Sequence, residues 1–491
     1  MTASRNIIIL AFVTFFFDAK AQPDTVVLSL EDVLKLARTK SYLAEDASRA
    51  LETSRTQLNI FKLSNLPTLS LSTTVPNFTH SISSVTQPNG VDAFVTKNQS
   101  SSSMNLLINK PVASTGGNLS VSSSLSWINV FGNTPTQSYS SAPFSISYGQ
   151  SIFDYNPYFD QKRLNGIKER KMYMDFTQAL ESINRQAAQF YFDLYLEKRR
   201  MDLAIQNIKY FEELVLIASQ QLQANRLSEV DYIQAELSLL NAKLERKSSV
   251  GKIYSSELSL KRFLKINQDQ PIKLITNDYI PEIIIDRDKI LDHARTIYNL
   301  VDYEGRKIQN RITYGQNYSR AVSSDVSISI GTNSSSSNLG TIFRNLQQRQ
   351  AISLTLKLPI YDWGLRKAQN NVVRIKKEQD DRQIDEDYYN FESQILEELT
   401  NLEDAFEYNL LYSKQLELMN KQVGLMQELF NASKIDIGDL GRAINKKTQA
   451  QIDLINNNGS FWAKLFSIRS MTLFDPISHS PITLITPFHG N

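Results

Sequence analysis

The sequence predicts an α+β membrane protein of two internal repeats, in which long coiled-coil helices carry short alternating strands. Three observations lead there. SIFDYNPYFDQ (151–161) and PIYDWGLRKAQ (359–369) align so that Ile152, Asp154 and Gln161 fall on Ile360, Asp362 and Gln369. The offset is 208 (362 − 154), and it also relates ANRLSEVDYIQAE (224–236) to ASKIDIGDLGRAI (432–444). Between those landmarks apolar residues recur at helical spacing, and before residues 151 and 359 they alternate with small polar ones.

In chain order, Arg5, an apolar run from Ile7 to Phe17 and the small-x-small site Ala19-Lys20-Ala21 read as a signal peptide over 1–21. The run is too short to cross about 30 Å of hydrocarbon as a helix. The first repeat is placed at 22–266. It holds a helix, strands at about 66–75 and 143–152, a possible extra hairpin at 100–127, a long helix over 157–223 and a return helix over 229–265. A segment rich in Pro and β-branched residues, 267–285, joins it to the second repeat at 286–474. There the strands fall at about 325–332 and 350–360, the long helix at 364–431 and the return helix at 437–472, with a tail over 475–491.

The long helices rest on periodicity. Ile183, Ala187, Phe190, Leu194, Met201, Ala204, Ile208, Phe211, Val215, Ala218 and Leu222 follow steps of four and three, broken only at Glu197. The positions 208 later, from Phe391 to Phe430, repeat the pattern with breaks at Glu398 and Asn409. A 3.5-residue repeat argues for helices in coiled-coil contact. At 1.5 Å per residue each helix would run about 90 Å, longer than an ordinary domain is wide.

The strands rest on period two: Leu69/Leu71, Leu119/Val121/Leu125/Trp127, Phe144/Ile146/Tyr148, Val326/Ile328/Ile330 and Ile352/Leu354/Leu356/Leu358. A soluble sandwich also alternates. Small uncharged partners, segments of about ten residues and an export signal favour strands of an outer-membrane barrel, apolar side to lipid and polar side to a wet lumen.

Composition excludes several classes. Net charge is +2, with 53 basic and 51 acidic residues interspersed, so nucleic acid is not an expected partner. The absence of cysteine removes disulfides, thiolate metal sites and thiol catalysis. His80, His293, His479 and His489 share no metal-ligand spacing, and no P-loop, nucleophile elbow or HExxH occurs. No enzyme activity, metal or cofactor is expected.

With LSLEDVLKLA (28–37), NLPTLSLS (65–72), LPIYDWGLRKAQ (358–369) and two turns of the type G-x-x-S-x-x-D-x-x-x-A, the chain resembles the TolC-like outer-membrane efflux protein family over its whole mature length. The resemblance implies a homotrimer whose strands close one outer-membrane β-barrel and whose helices form a continuous coiled-coil tunnel across the periplasm. It implies the exit duct of a tripartite efflux or type I secretion system. The partners would be a periplasmic adaptor, an inner-membrane RND or ABC transporter, and outer-membrane lipid. Family members give four strands per chain to a twelve-stranded barrel, so the extra pair in the first repeat is expected as an extracellular hairpin. The competing reading is an exported structural or adhesive coiled-coil protein without channel activity.

Two groups of residues carry the site expectations. Ser228-Glu229-Val230-Asp231 has the form of a helix capping box, and Asp436-Ile437-Gly438-Asp439 repeats it, a structural role that accounts for these positions. The resemblance adds that these turns are periplasmic tips. Asp439, then Asp231, would ring the aperture, with Arg442 one turn on able to pair with Asp439 or line the opening itself. Asn225, Arg226, Leu227, Ser228, Ser433, Lys434, Ile435 and Asp436 would dock the adaptor. Asn225 and Ser433 stand where the motif has glycine; Ser enters the left-handed conformation less readily, so the second tip is expected to turn differently. The second group is the strand-to-helix joints: Asp154 and Tyr155, then Pro359, Asp362, Trp363 and Gly364. Pro359 would stop strand pairing, Asp362 cap the new helix, Gly364 redirect the backbone, and Trp363 sit at the bilayer interface.

Overall fold

A computed structural model describes residues 25–484, apart from 89, 133–134, 276–279 and 433. The expected signal peptide therefore lies outside the described residues. Along the chain come β1 (Val26–Leu28), α1 (Leu30–Lys40), α2 (Tyr42–Ser64), β2 (Thr68–Thr86), β3 (Asp92–Val112), β4 (Gly117–Phe131), β5 (Thr136–Ser151), α3 (Tyr158–Gln223) and α4 (Glu229–Leu264). There follow β6 (Ile272–Leu274), α5 (Arg287–Tyr298), α6 (Glu304–Asn317), β7 (Ser323–Ser336), β8 (Gln347–Lys357), α7 (Leu365–Asn431), α8 (Ile437–Thr472), β9 (Phe474–Asp475) and β10 (Ser480–Pro481). A single π-helical turn, Asn299–Tyr303, links α5 to α6.

The heptad line is the packing line. Ile183, Ala187, Leu194, Ala204, Phe211 and Ala218 of α3 are buried, as are Ile395, Leu402, Ala405, Val423 and Phe430 of α7. These helices have 66 and 67 residues, about 100 Å each. Of the breaks in the pattern, Asn409 is buried and donates its amide to Asn458 of α8, so a polar pair replaces an apolar one. Gly459 lets α8 close on α3: a Cβ there would stand 2.9 Å from Cβ of Phe192.

A belt of packing surrounds the middle of the helices. β1 pairs in parallel with β6 from the segment between the two halves. Leu28, Val33 and Ala37 bury against Ile183, Leu194, Leu260 and Leu264, and the hydroxyl of Tyr191 donates to the carbonyl of Ile275 at 2.6 Å. On the other side Ile290 and Ala294 of α5 pack on Ile395, Leu399 and Leu402 of α7 and Phe461 and Leu465 of α8. Arg469 of α8 closes this region as an ion pair with buried Glu181 of α3, at 2.9 Å, and with Asp475 at 3.1 Å.

The six long strands form one antiparallel sheet in the order β2-β3-β4-β5-β7-β8. The extra pair expected in the first repeat is continuous with this sheet, β3 and β4 lying between β2 and β5. The strands also run longer than expected: β2 reaches Thr86 rather than about residue 75, and only the β2–β3 tip projects past the end of β4, where Phe131 meets Asn98. Register explains why the hairpin joins. Leu69 and Leu71 lie beside Ile108 and Leu106, Ile108 beside Val121, Val121 beside Ile146, Ile146 beside Ile330, and Ile328 beside Ile352. One apolar band crosses all six strands. The other face is mainly hydroxyl and amide, with exceptions such as Leu107 and Ile128: Ser72 by Asn105 by Ser124, Ser120 by Ser147 by Ser329, and Ser327 by Ser353. Had β3 slipped by one residue, its apolar set would have faced the polar side.

Candidate functional site

The chain presents two special places: the turns at the far ends of the long helices, and the joints where the sheet meets them. At the first tip α3 ends through Asn225, whose φ of 48° is left-handed. The N–H of Arg226 returns to the carbonyl of Gln221 at 2.8 Å, a helix-ending turn that Asn accommodates better than most residues. At the second tip Lys434 N–H returns to the carbonyl of Leu429 at 2.9 Å, the same bond 208 residues on. The tips share this closing bond; the expected difference at Ser433 falls outside the described residues. Leu227 and Ile435 pack on a shared core of Phe211, Leu214, Val423, Phe430, Ile437 and Leu440, while Asn225, Arg226, Ser228, Lys434 and Asp436 are exposed.

Capping occurs in both returning helices. The Ser228 hydroxyl accepts from the N–H of Asp231 at 3.1 Å and donates a hydrogen bond to that residue's carboxylate at 2.6 Å. Asp436 accepts from the N–H of Asp439 at 2.6 Å. The side chain of Asp439 is therefore left free of capping work, and Arg442 takes it in an ion pair. That pair sits at the surface, with 66% of the Arg442 side chain and 41% of the Asp439 side chain exposed.

The two joints align in sequence but are built differently. In the second, pairing stops at Lys357, before Pro359. Asp362 accepts from the N–H groups of Gly364 at 3.0 Å and Arg366 at 3.2 Å, and these two bonds hold its carboxyl below the usual range. Trp363 and Gly364 are both left-handed, with φ of 54° and 82°. The Trp363 ring stands edge-on to Tyr361 at 4.6 Å, and 87% of its surface is exposed.

In the first joint the helix-starting bond comes from Asn156, whose side-chain oxygen accepts from the N–H of Tyr158 at 3.1 Å. Asp154, aligned with Asp362, does not make it. Asn156 also donates to the carbonyl of Ala113, at 3.0 Å, in the turn between β3 and β4. Tyr155 donates to Asp160, which is gripped by Arg311 of α6. Burial, reinforced by that carboxylate, pushes the Tyr155 hydroxyl up to about 12. Burial works against the charge of Asp160, but the Tyr155 hydroxyl and the Arg311 guanidinium outweigh it and keep the carboxyl low. The Tyr155 ring lies where a Cβ on Gly315 would stand, 2.8 Å away, so only glycine fits beneath it. Sequence reasoning missed the roles of Asn156, Asp160 and Arg311, because no local pattern marks contacts with a turn and a helix so distant in the chain.

Among the described residues no helix is long and apolar enough to cross a membrane, and no cluster of three His, Asp or Glu suited to a metal occurs. No family model and no curated protein matches the chain by sequence. Solved structures do match its fold. The Campylobacter jejuni CmeC outer membrane channel is 14% identical with a TM-score of 0.61, over 92% of this chain and 86% of that one. The outer-membrane channel OprN is 11% identical with a TM-score of 0.62, over 90% and 89%. The open state of the Neisseria gonorrhoeae MtrE outer membrane channel is 15% identical with a TM-score of 0.57, over 92% and 90%.

Proposed function

We propose that this chain, which has the fold of the TolC-like outer-membrane channels, is itself such a channel. In this reading three copies close the sheets into a barrel in the outer membrane, and α3, α4, α7 and α8 extend into the periplasm as a tunnel. It serves as the passive exit duct of a tripartite efflux or type I secretion system, receiving substrate from an inner-membrane RND or ABC transporter through a periplasmic adaptor.

The observation that carries the proposal is the apolar band across the six-stranded sheet. Leu69, Leu71, Ile352 and Leu354 are each at least 59% exposed, and such a contiguous apolar surface is an aggregation hazard in water. Against lipid it is the required face. Its height fits too. Trp127 stacks on Tyr139 and Phe78 on Phe131 at the far end, while Tyr148, Tyr361 and Trp363 lie at the joint end. Tyr139 and Tyr148 are nine residues apart on β5, about 23 Å at ordinary strand rise and tilt, close to the ~25 Å apolar belt between the aromatic girdles of outer-membrane barrels. An adhesive coiled coil gives no reason for such a band.

At the other end the tips would form the entrance. Asp439, Asp231 and Arg442 would recur in threefold rings in a narrow throat, where charge selects ions. Exposed Asn225, Arg226, Ser228, Lys434 and Asp436, with Leu227 and Ile435 between them, offer the docking surface for the adaptor. The test is extraction and reconstitution. The protein should be recovered from outer membranes only with detergent, as a trimer that conducts ions in a planar bilayer. A soluble monomer without conductance would sink the proposal.

A further inference from the structure

Strands β3 and β4 have no counterpart between β7 and β8, and they need a place. Their turn, residues 113–116, sits at the joint end of the sheet. It is tied there by Asn156 to Ala113, by a 2.7 Å hydrogen bond between the hydroxyls of Thr115 and Tyr148, and by the Gln150 amide to the carbonyl of Thr115 at 3.2 Å. Their lower halves carry the same apolar band as their neighbours, through Met104, Leu106 and Ile108 and through Val121 and Leu125.

The sheet has two free edges, β2 and β8. Open edges are not tolerated in hydrocarbon, because each unpaired N–H and carbonyl costs several kcal/mol, so they must pair. They do not pair with each other within the chain. β2 leaves α2 and runs away from the helices, whereas β8 runs back into α7, so their directions suit an antiparallel pair between copies. Pro76, which lacks a donor, lies at the β2 bulge between Thr74 and Asn77, an irregularity suited to an edge strand.

Helix spacing gives an independent measure of width. Four helices, α2, α3, α6 and α7, meet the sheet, and neighbours in that order pack on one another. At interaxial distances of about 8–10 Å they occupy roughly 32–40 Å of perimeter. Six strands spaced about 4.8 Å apart and tilted 35–45° occupy roughly 35–41 Å, whereas four would occupy only about 23–27 Å. Six strands fall within the same range, so the added hairpin can be housed in the wall without outgrowing the helical ring.

We infer that all six strands of each copy form the barrel wall, with β8 of one copy pairing antiparallel with β2 of the next. Three copies then close an eighteen-stranded barrel, about 110 Å round and roughly 35 Å across at the backbone. This rests on the trimeric duct proposed above and deepens it. The partner at each free edge is a second copy of this chain, and the added hairpin makes the wall wider than the twelve strands the family resemblance implies.

The chain's lack of cysteine makes thiol chemistry clean. Pairs of cysteines, one scanned over residues 68–73 of β2 and one over 353–357 of β8, should give disulfides between copies and covalent trimers in outer membranes. Bimane on single variants Leu106→Cys and Val121→Cys should be quenched at least severalfold more by nitroxide on lipid acyl chains than by an aqueous quencher. A membrane trimer in which β2 cross-links to β5 within one chain, with both labels quenched from water, overturns the eighteen-stranded wall and leaves the duct standing. Failure to form any membrane-inserted trimer instead overturns the duct reading, and the wall with it.

Discussion

Arg442 grips the carboxylate of Asp439 one turn along α8, while the cap of that helix is supplied separately by Asp436. Charge and capping therefore reside on different side chains and separate cleanly by mutation. Asp439→Ala should shift bilayer reversal potentials toward anions and Arg442→Ala toward cations, each with thermal stability within about 0.5 kcal/mol of the parent, as expected of an exposed pair. Asp436→Ala should cost about 1 kcal/mol by loss of the cap, with little change in selectivity. Reversal-potential and melting measurements on the three variants decide it.

Asp154 and Asp362 align in sequence but should differ in consequence. Asp362 satisfies two backbone donors at the start of α7, so Asp362→Ala should lower the melting temperature of the detergent-solubilised protein. Asp154→Ala should leave it nearly unchanged. Asn156→Ala should behave like Asp362→Ala, since it removes both the start of α3 and the tie to Ala113.

The Tyr155–Asp160–Arg311 network predicts a pH window. Asp160 has a lowered folded-state pKa, so its contribution is complete above the ordinary carboxylate range and is lost as pH falls through the folded value. Tyr155, raised to about 12, contributes fully below the ordinary phenol range and loses that contribution as pH climbs through 12. Tyr155→Phe should cost about 1 kcal/mol near neutrality and move the acid limb of the stability profile to higher pH. Melting curves across pH read both effects.

Glu181 is buried and depends on Arg469. Arg469→Met leaves that carboxylate without its partner inside the helical packing and should destabilise by about 3 kcal/mol. The double variant Glu181→Gln/Arg469→Met should recover a large part of the loss. Equal melting temperatures for the single and double variants would refute this coupling.

The long helices were legible because a 3.5-residue apolar period running from Ile183 to Leu222 has no other physical use. The expected ends of 223, 431 and 472 are those observed. The alternation at Leu69, Val121 and Ile352 likewise marked strands. Strand length was not legible, because Asn, Ser and Thr in the far parts of β2 and β3 are read locally as loop. Nor was the role of Asn156 or Arg311, each of which acts on a segment more than 40 residues away.

By itself the sequence determined the element types, the 208-residue correspondence, the capped tips and the apolar band on each strand, because each depends on neighbours within a few turns of chain. Only the tertiary structure decided where β3 and β4 lie in the sheet, and that Asn156 and Arg311 tie the first joint together. Those outcomes depend on register between strands and on contacts between segments far apart. The hairpin is the clearest case. Two apolar alternating strands say nothing locally of their neighbours, whereas their register continues the apolar band from β2 to β5 and their turn is tied to the base of α3.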